Sequence, residues 1–288
     1  MNVGFVGVGA MGEAMAGHCS EAGYSVLAYD TDPENLTSAT AGAVSAADDL
    51  SQIARTCDVV IAVVNTDDQT RSVVGGLLKA GPKPGQVIVV AATNHPGTMI
   101  ELAKACTAAG CSLVDAPICY GLQGAKQGNL ISLCGGDAKD IDRVRPVLMA
   151  YSRSVEHLGP IGCGQLGKAC NNMMHWAACV ANYETLALAK ACGIDAQAMR
   201  ETLLKCPAYN RTLDRWDNSK FTWHEKDMDV VLDLSQQAGL AMPLFGLVDQ
   251  LVKRLGPDGV KALLYAEEAE YLGQKVRGRA ISEVTSRS

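Results

Sequence analysis

Three glycines in six residues, Gly7-Val8-Gly9-Ala10-Met11-Gly12, stand between an apolar run, Val3-Gly4-Phe5-Val6, and a helical pattern. A strand that turns at once into a helix through such a segment has few folds open to it. Gly7 permits the tight turn, Gly9 lets a pyrophosphate approach the backbone, and Gly12 lets helix pack on strand. Val8, Ala10 and Met11 complete a loop whose N–H groups point at the phosphates. Asp30 ends the next apolar run, where a carboxylate accepts hydrogen bonds from a ribose hydroxyl. The same charge repels a 2′-phosphate, and Thr31-Asp32-Pro33 brings no arginine to offset it, so NAD is favoured over NADP.

The rest of the first half repeats that strand–helix alternation. Short β-rich runs at 2–7, 25–30, 58–64, 86–91, 111–115, 129–134 and 152–157 alternate with helical patterns at 10–22, 33–40, 46–55, 67–79, 96–109 and 137–149. The alternation predicts an α/β domain, a doubly wound parallel sheet covered on both faces. After residue 162 the strand signals stop. One long helix is expected over 164–192, closed by Gly193, then shorter helices broken at Pro207, Gly239, Pro243, Gly256-Pro257 and Gly273, with a frayed end from Arg277. At 288 residues the chain exceeds the roughly 250 at which single cores stop growing. Two domains follow, a dinucleotide-binding domain over 1–162 and an all-α domain over 163–288, joined by the long helix.

Composition narrows the function classes. A net charge of −6 gives no basic footprint for nucleic acid. No apolar run reaches the roughly 18 residues of a membrane span. The chain opens in an apolar strand with no basic n-region ahead of it, so a cytoplasmic enzyme is expected. Eleven cysteines, odd in number and without C-x-x-C, read as buried free thiols, and the five histidines show no metal-ligand spacing.

The chemistry is carried by Gly159-Pro-Ile-Gly162-Cys-Gly164-Gln-Leu-Gly167-Lys168-Ala-Cys-Asn171-Asn172. On a helix, Lys168 and Asn172 share a face, an amine beside a fixed amide and so a proton-transfer pair. The glycines ahead of them let that helix begin tightly against another backbone. His175 returns to the same face seven residues after Lys168, as a substrate contact or as a packed histidine.

With the glycine fingerprint, Asp115-Ala-Pro-Ile-Cys-Tyr-Gly121, the Gly159–Asn172 segment and Lys226-Asp227-Met228 in this order, the chain resembles the β-hydroxyacid dehydrogenase family. The resemblance implies a Rossmann domain, an all-helical second domain, and reversible NAD(P)-linked oxidation of a small 3-hydroxy acid in the cleft between them, by a homodimer or homotetramer. It places the catalytic lysine at Lys168 and the substrate-orienting asparagine at Asn172. It assigns Lys226, Thr93 and the Val64-Asn65 segment to the cofactor, and Cys119, Tyr120 and Gly121 to the substrate loop. This loop departs from the family's pattern, with Cys119 for a serine and Tyr120 for the first glycine, and Ala92 stands where a serine is common. Trp216, Trp223 and His224, which flank Lys226, are expected to pack in the helical core. The alternatives are an imine or ketone reductase of the same architecture, a group that generally lacks the lysine, and a non-catalytic dinucleotide-binding module.

Overall fold

The computed structural model describes residues 1–218 and 220–285, which form two compact units, Met1–Lys168 and Ala169–Ser288. The first unit is built on a nine-stranded sheet. Its elements in chain order are β1 (Asn2–Val6), α1 (Ala10–Glu21), β2 (Ser25–Tyr29), α2 (Pro33–Ala39), β3 (Ser45–Ala46), α3 (Leu50–Thr56), β4 (Val59–Ala62), α4 (Asp67–Ala80), β5 (Val87–Val90), α5 (Pro96–Ala108) and β6 (Ser112–Asp115). There follow β7 (Ile118–Cys119), α6 (Gly121–Lys126), β8 (Leu130–Gly135), α7 (Ala138–Tyr151), β9 (Ser152–Gly159) and α8 (Cys163–Ala191), whose first turn closes the unit.

The first six strands pair in the order β3-β2-β1-β4-β5-β6, all parallel. The order reverses between β1 and β4, and a ligand site is built outside the C-terminal ends of strands at such a point. Period-2 alternation explains how both faces are covered. Val3, Phe5, Val59, Ile61, Val87, Val89 and Val114 enter one core with α1 and α7. Val6, Val60, Ile88, Val90 and Leu113 enter the other, with α3, α4 and α5.

Three sequence expectations for this unit are corrected. The sheet is mixed, because β8 runs antiparallel to β6 and β7. The helix expected from residue 46 begins at Leu50, since Asp49 is its N-cap, accepting from the Gln52 N–H at 2.7 Å, and Ser45–Ala46 extends instead as β3. The stretch after Asp115, read as loop, holds β7 and α6.

The second unit contains the rest of α8, α9 (Ala196–Leu203), α10 (Arg211–Asp214), α11 (His224–Gln237), α12 (Pro243–Val252), α13 (Pro257–Tyr265), β10 (Glu268–Tyr271), β11 (Gln274–Arg277) and α14 (Ile281–Thr285). Trp176, Tyr183, Trp216, Met228 and Leu263 are central to its core. The helical reading fails at 268–277, which folds as an antiparallel hairpin around Leu272 (φ 51°) and Gly273 (φ 76°). Positive φ at both central residues is the two-residue turn whose twist matches paired strands, and Ala269 and Val276, facing each other across the pair, are both buried. The tail expected to fray carries α14 over Ile281–Thr285; residues 286–288 lie outside the described residues. No helix among the described residues is long and apolar enough to cross a membrane.

Candidate active site

The glycine loop leaves β1 at Gly7, whose φ is 88° and whose N–H donates to the Tyr29 carbonyl at 2.9 Å. A side chain there would put its Cβ 2.3 Å from the Val63 carbonyl oxygen, so no other residue fits. Asp30 fastens the loop from β2. Its carboxylate accepts from the Val8 N–H at 2.7 Å and from the Asp32 N–H at 2.9 Å. Gly9 is the N-cap of α1 and offers no side-chain cap, and a Cβ built on it has Asn35 Nδ2, at 3.9 Å, as its nearest neighbour. Uncapped N–H groups facing open room suit a pyrophosphate, so the residues present fit a dinucleotide. Beside this loop, Val64 packs into the second core and the Asn65 N–H donates at 2.8 Å to Gln69 Oε1, the oxygen that also takes the Thr66 N–H in the capping box that starts α4.

A second group of residues gathers where β5 and β6 end. Asp115 is fully buried and receives the Gly162 N–H at 2.7 Å and the Gln165 N–H at 2.8 Å, from the start of α8. Burial pushes its carboxyl up to about 6, against the lowering effect of those backbone donors. Gly164 is held so close that an added Cβ would meet the Leu133 carbonyl oxygen at 2.3 Å, the tight helix start that the glycine spacing implied. The Gln165 amide then reaches the loop after β5, donating to the Ala92 carbonyl at 2.8 Å and accepting from the Asn94 N–H at 2.9 Å. Thr93 lies between those two contacts.

Lys168 follows one turn along α8. Its Nζ donates to the Ile118 carbonyl at 2.8 Å and lies 3.9 Å from Cys119 Sγ. The lysine is thus half-buried against the substrate-loop candidates of the same unit. Tyr120 adopts φ 92°, a left-handed backbone that a non-glycine residue rarely takes. Its ring lies 4.4 Å under the Arg153 guanidinium, and its hydroxyl accepts from Arg153 at 2.5 Å. The phenol is therefore directed to Arg153 on β9. Gly121 continues the turn at φ 59°.

The remaining candidates stand in the second unit. Asn172 is buried, and its Oδ1 accepts from Asn171 Nδ2 at 3.0 Å. His175 bonds Thr212 Oγ1 at 3.0 Å and lies 4.6 Å from the Trp176 ring. Lys226 is half-buried on α11, beside Asp227, whose carboxylate takes the Trp176 indole N–H at 3.0 Å. Of the aromatic residues near it, Trp216 is core, whereas Trp223 is 57% exposed with φ 74°, a correction to the expected packing. Sequence reasoning gave no role to Asp115, Gln165 or Asn94. The available signal was a glutamine one helical turn ahead of Lys168, on the same face of an apolar-periodic helix.

Residues 2–159 match the family model described as the NAD-binding domain of 6-phosphogluconate dehydrogenase, and residues 162–263 match the one described as the NAD-binding domain of NADP-dependent 3-hydroxyisobutyrate dehydrogenase. An uncharacterised oxidoreductase from Shewanella frigidimarina is 32% identical, over 86% of this chain and 90% of the relative. A 3-hydroxyisobutyrate dehydrogenase from Pseudomonas aeruginosa is 30% identical, over 75% of this chain and 73% of the relative. The solved structure of Mycobacterium tuberculosis 3-hydroxyisobutyrate dehydrogenase with L-serine shares the fold, with a TM-score of 0.83 at 24% identity over 92% of this chain and 99% of that one. The glycine loop, the buried start of α8 and these matches agree, and the chain belongs to the β-hydroxyacid dehydrogenases, nicotinamide-dinucleotide-dependent oxidoreductases that include 3-hydroxyisobutyrate dehydrogenase.

Proposed function

We propose that this protein interconverts a small 3-hydroxy acid and its semialdehyde or 3-oxo form, with NAD as the cofactor and Lys168 as the proton-transfer group. The observation that carries the reading is the seat of Lys168, whose Nζ is tied to the Ile118 carbonyl of β7. An ammonium has three donors; the Ile118 carbonyl takes one and Cys119 Sγ, at 3.9 Å, weakly takes a second, so one remains for a substrate oxygen. In the reductive direction Lys168 polarises the carbonyl and then delivers the proton to the oxygen. In the oxidative direction it takes that proton back. The dinucleotide, when bound, would accept the hydride as NAD in the oxidative direction and donate it as NADH in the reductive one. Asn172, one turn further along α8, orients the lysine or a substrate oxygen.

Gly7 to Gly12, Asp30, Val64, Asn65, Thr93 and Lys226 are assigned to the cofactor. The preference for NAD rests on Asp30, at the end of β2, with Asp32 and Glu34 close behind it in sequence and no arginine among them. Cys119, Tyr120, Gly121 and His175 are assigned to the substrate. Without a serine hydroxyl at 119, the loop offers a thiol and backbone groups, which fits a substrate different from those of the best-known relatives. Exposed Met174 and Leu188 on α8, and Leu244 and Leu247 on α12, support a homodimer or homotetramer. The test is a screen of 3-hydroxy acids, among them L-serine and 3-hydroxyisobutyrate, with NAD and NADP in parallel on wild type and Lys168→Ala. Turnover by wild type alone supports the reading, and equal turnover by both removes Lys168 from it.

A further inference from the structure

Four buried polar side chains form one run of contacts from α4, through the loop after β5, to α8 and the end of β6. Thr70 and Asp115 are 0% exposed, and Asn94 and Gln165 are 1% exposed. Thr70 Oγ1 donates to Asn94 Oδ1 at 3.2 Å, while the backbone on either side of Thr93 is bonded to one amide, that of Gln165. The backbone N–H of Gln165 is in turn held by Asp115 at 2.8 Å. Burying an amide costs free energy unless its hydrogen bonds are made, and a leucine of similar size would fill the space without that cost. What leucine cannot do is donate to the Ala92 carbonyl and accept from the Asn94 N–H at once. The opposed polarity of these two contacts admits one amide orientation and so fixes the Thr93 peptide relative to the first turn of α8. Lys168 is the residue on that helix face one turn later.

We infer that Gln165 is a positioning residue, setting the cofactor-side loop at Thr93 and the proton-transfer residue Lys168 in register through its single amide. The inference rests on the reading of Lys168 and Thr93 given above. It predicts that loosening Gln165 weakens dinucleotide binding, whereas removing the lysine does not. The full chain is compared as wild type, Gln165→Leu, Gln165→Glu and Lys168→Ala, with the NAD dissociation constant measured by calorimetry across pH. Gln165→Leu is expected to weaken NAD by about tenfold, the scale of one buried hydrogen bond, and Lys168→Ala by less than about twofold.

Gln165→Glu adds a readout that a role in packing alone does not move. Its ionised carboxylate faces the Ala92 carbonyl and weakens NAD binding, while its protonated form donates to that carbonyl and restores it. The ratio of variant to wild-type dissociation constants is therefore expected to fall toward one on acidification. Asp115, Lys168, Cys119 and His95 are the titratable groups of the network and its neighbouring residues, and wild type carries all four, so its own pH profile is the reference. Asp115, which holds the Gln165 N–H, disfavours the ionised form of the added carboxyl and moves the response to higher pH without changing its sign. NAD affinity equal to wild type in both Gln165 variants at every pH, or a defect in Gln165→Glu that does not respond to pH, overturns the inference. Activity unchanged in Lys168→Ala would overturn the lysine reading instead and leaves the binding comparison standing.

Discussion

The carboxylate of Asp115, at the end of β6, accepts the backbone N–H of Gln165 at 2.8 Å and so anchors the first turn of α8, fifty residues further along the chain. Replacing Asp115 with asparagine turns one acceptor into a donor facing the Gly162 or Gln165 N–H. A loss of about 1–3 kcal/mol is expected, read as a lower thermal midpoint. The pH dependence has a definite sign. Burial raises this carboxyl to about 6, so between its ordinary value of about 4 and 6 the folded chain binds a proton that the unfolded chain has released. The group's contribution to stability falls as pH rises through that window and is level above it. The gap between wild type and Asp115→Asn should therefore widen on acidification, by up to about 1.4 kcal/mol per pH unit. A gap independent of pH would refute this account of Asp115.

Tyr120 supplies a comparison in which glycine should outperform alanine. Both substitutions lose the ring and its contact with Arg153, but only glycine relieves the left-handed backbone. Tyr120→Gly is expected to be more stable than Tyr120→Ala by about 1 kcal/mol in urea denaturation. Equal stabilities would mean that the φ of 92° carries no strain.

The proposed preference for NAD rests on Asp30. Wild type should bind NAD at least about tenfold tighter than NADP, and Asp30→Asn should narrow that ratio by removing the charge. The substitution also sets an amide against the Val8 N–H, so binding of both dinucleotides should weaken somewhat. A native preference for NADP, measured by titration calorimetry, contradicts the reading.

Light scattering checks the assembly. Wild type should elute as a dimer or tetramer, and Met174→Glu combined with Leu188→Glu should shift it to smaller species, since both side chains are exposed and apolar. A monomeric wild type would be inconsistent with the proposed homo-oligomer.

The fold was legible where burial is two-sided. Strands such as Val59–Ala62 are continuous apolar runs, and the glycine loop between β1 and α1 carries its own backbone requirement. The hairpin over 268–277 was not legible, because Glu, Ala, Leu and Lys favour helices and only the buried Ala269–Val276 pair opposes that preference. In the candidate site, Lys168 could be picked out by its local spacing. Asp115 and Gln165 could not be assigned roles that way, since their partners stand 47 to 73 residues away and become neighbours only when the sheet forms. The left-handed turn at Tyr120 was hidden for a different reason, since tyrosine has no preference for such a backbone and the ring contact with Arg153 comes from β9.

Lys168 is proposed to move the substrate proton. That role is tested most directly by the rate of NADH formation from whichever 3-hydroxy acid wild type turns over best, measured for Lys168→Ala beside wild type at saturating NAD. General acid–base groups contribute about 10²–10⁴-fold. A loss of kcat of at least about a hundredfold, with the NAD dissociation constant unchanged, is the predicted result. A variant that retains the wild-type kcat contradicts the account.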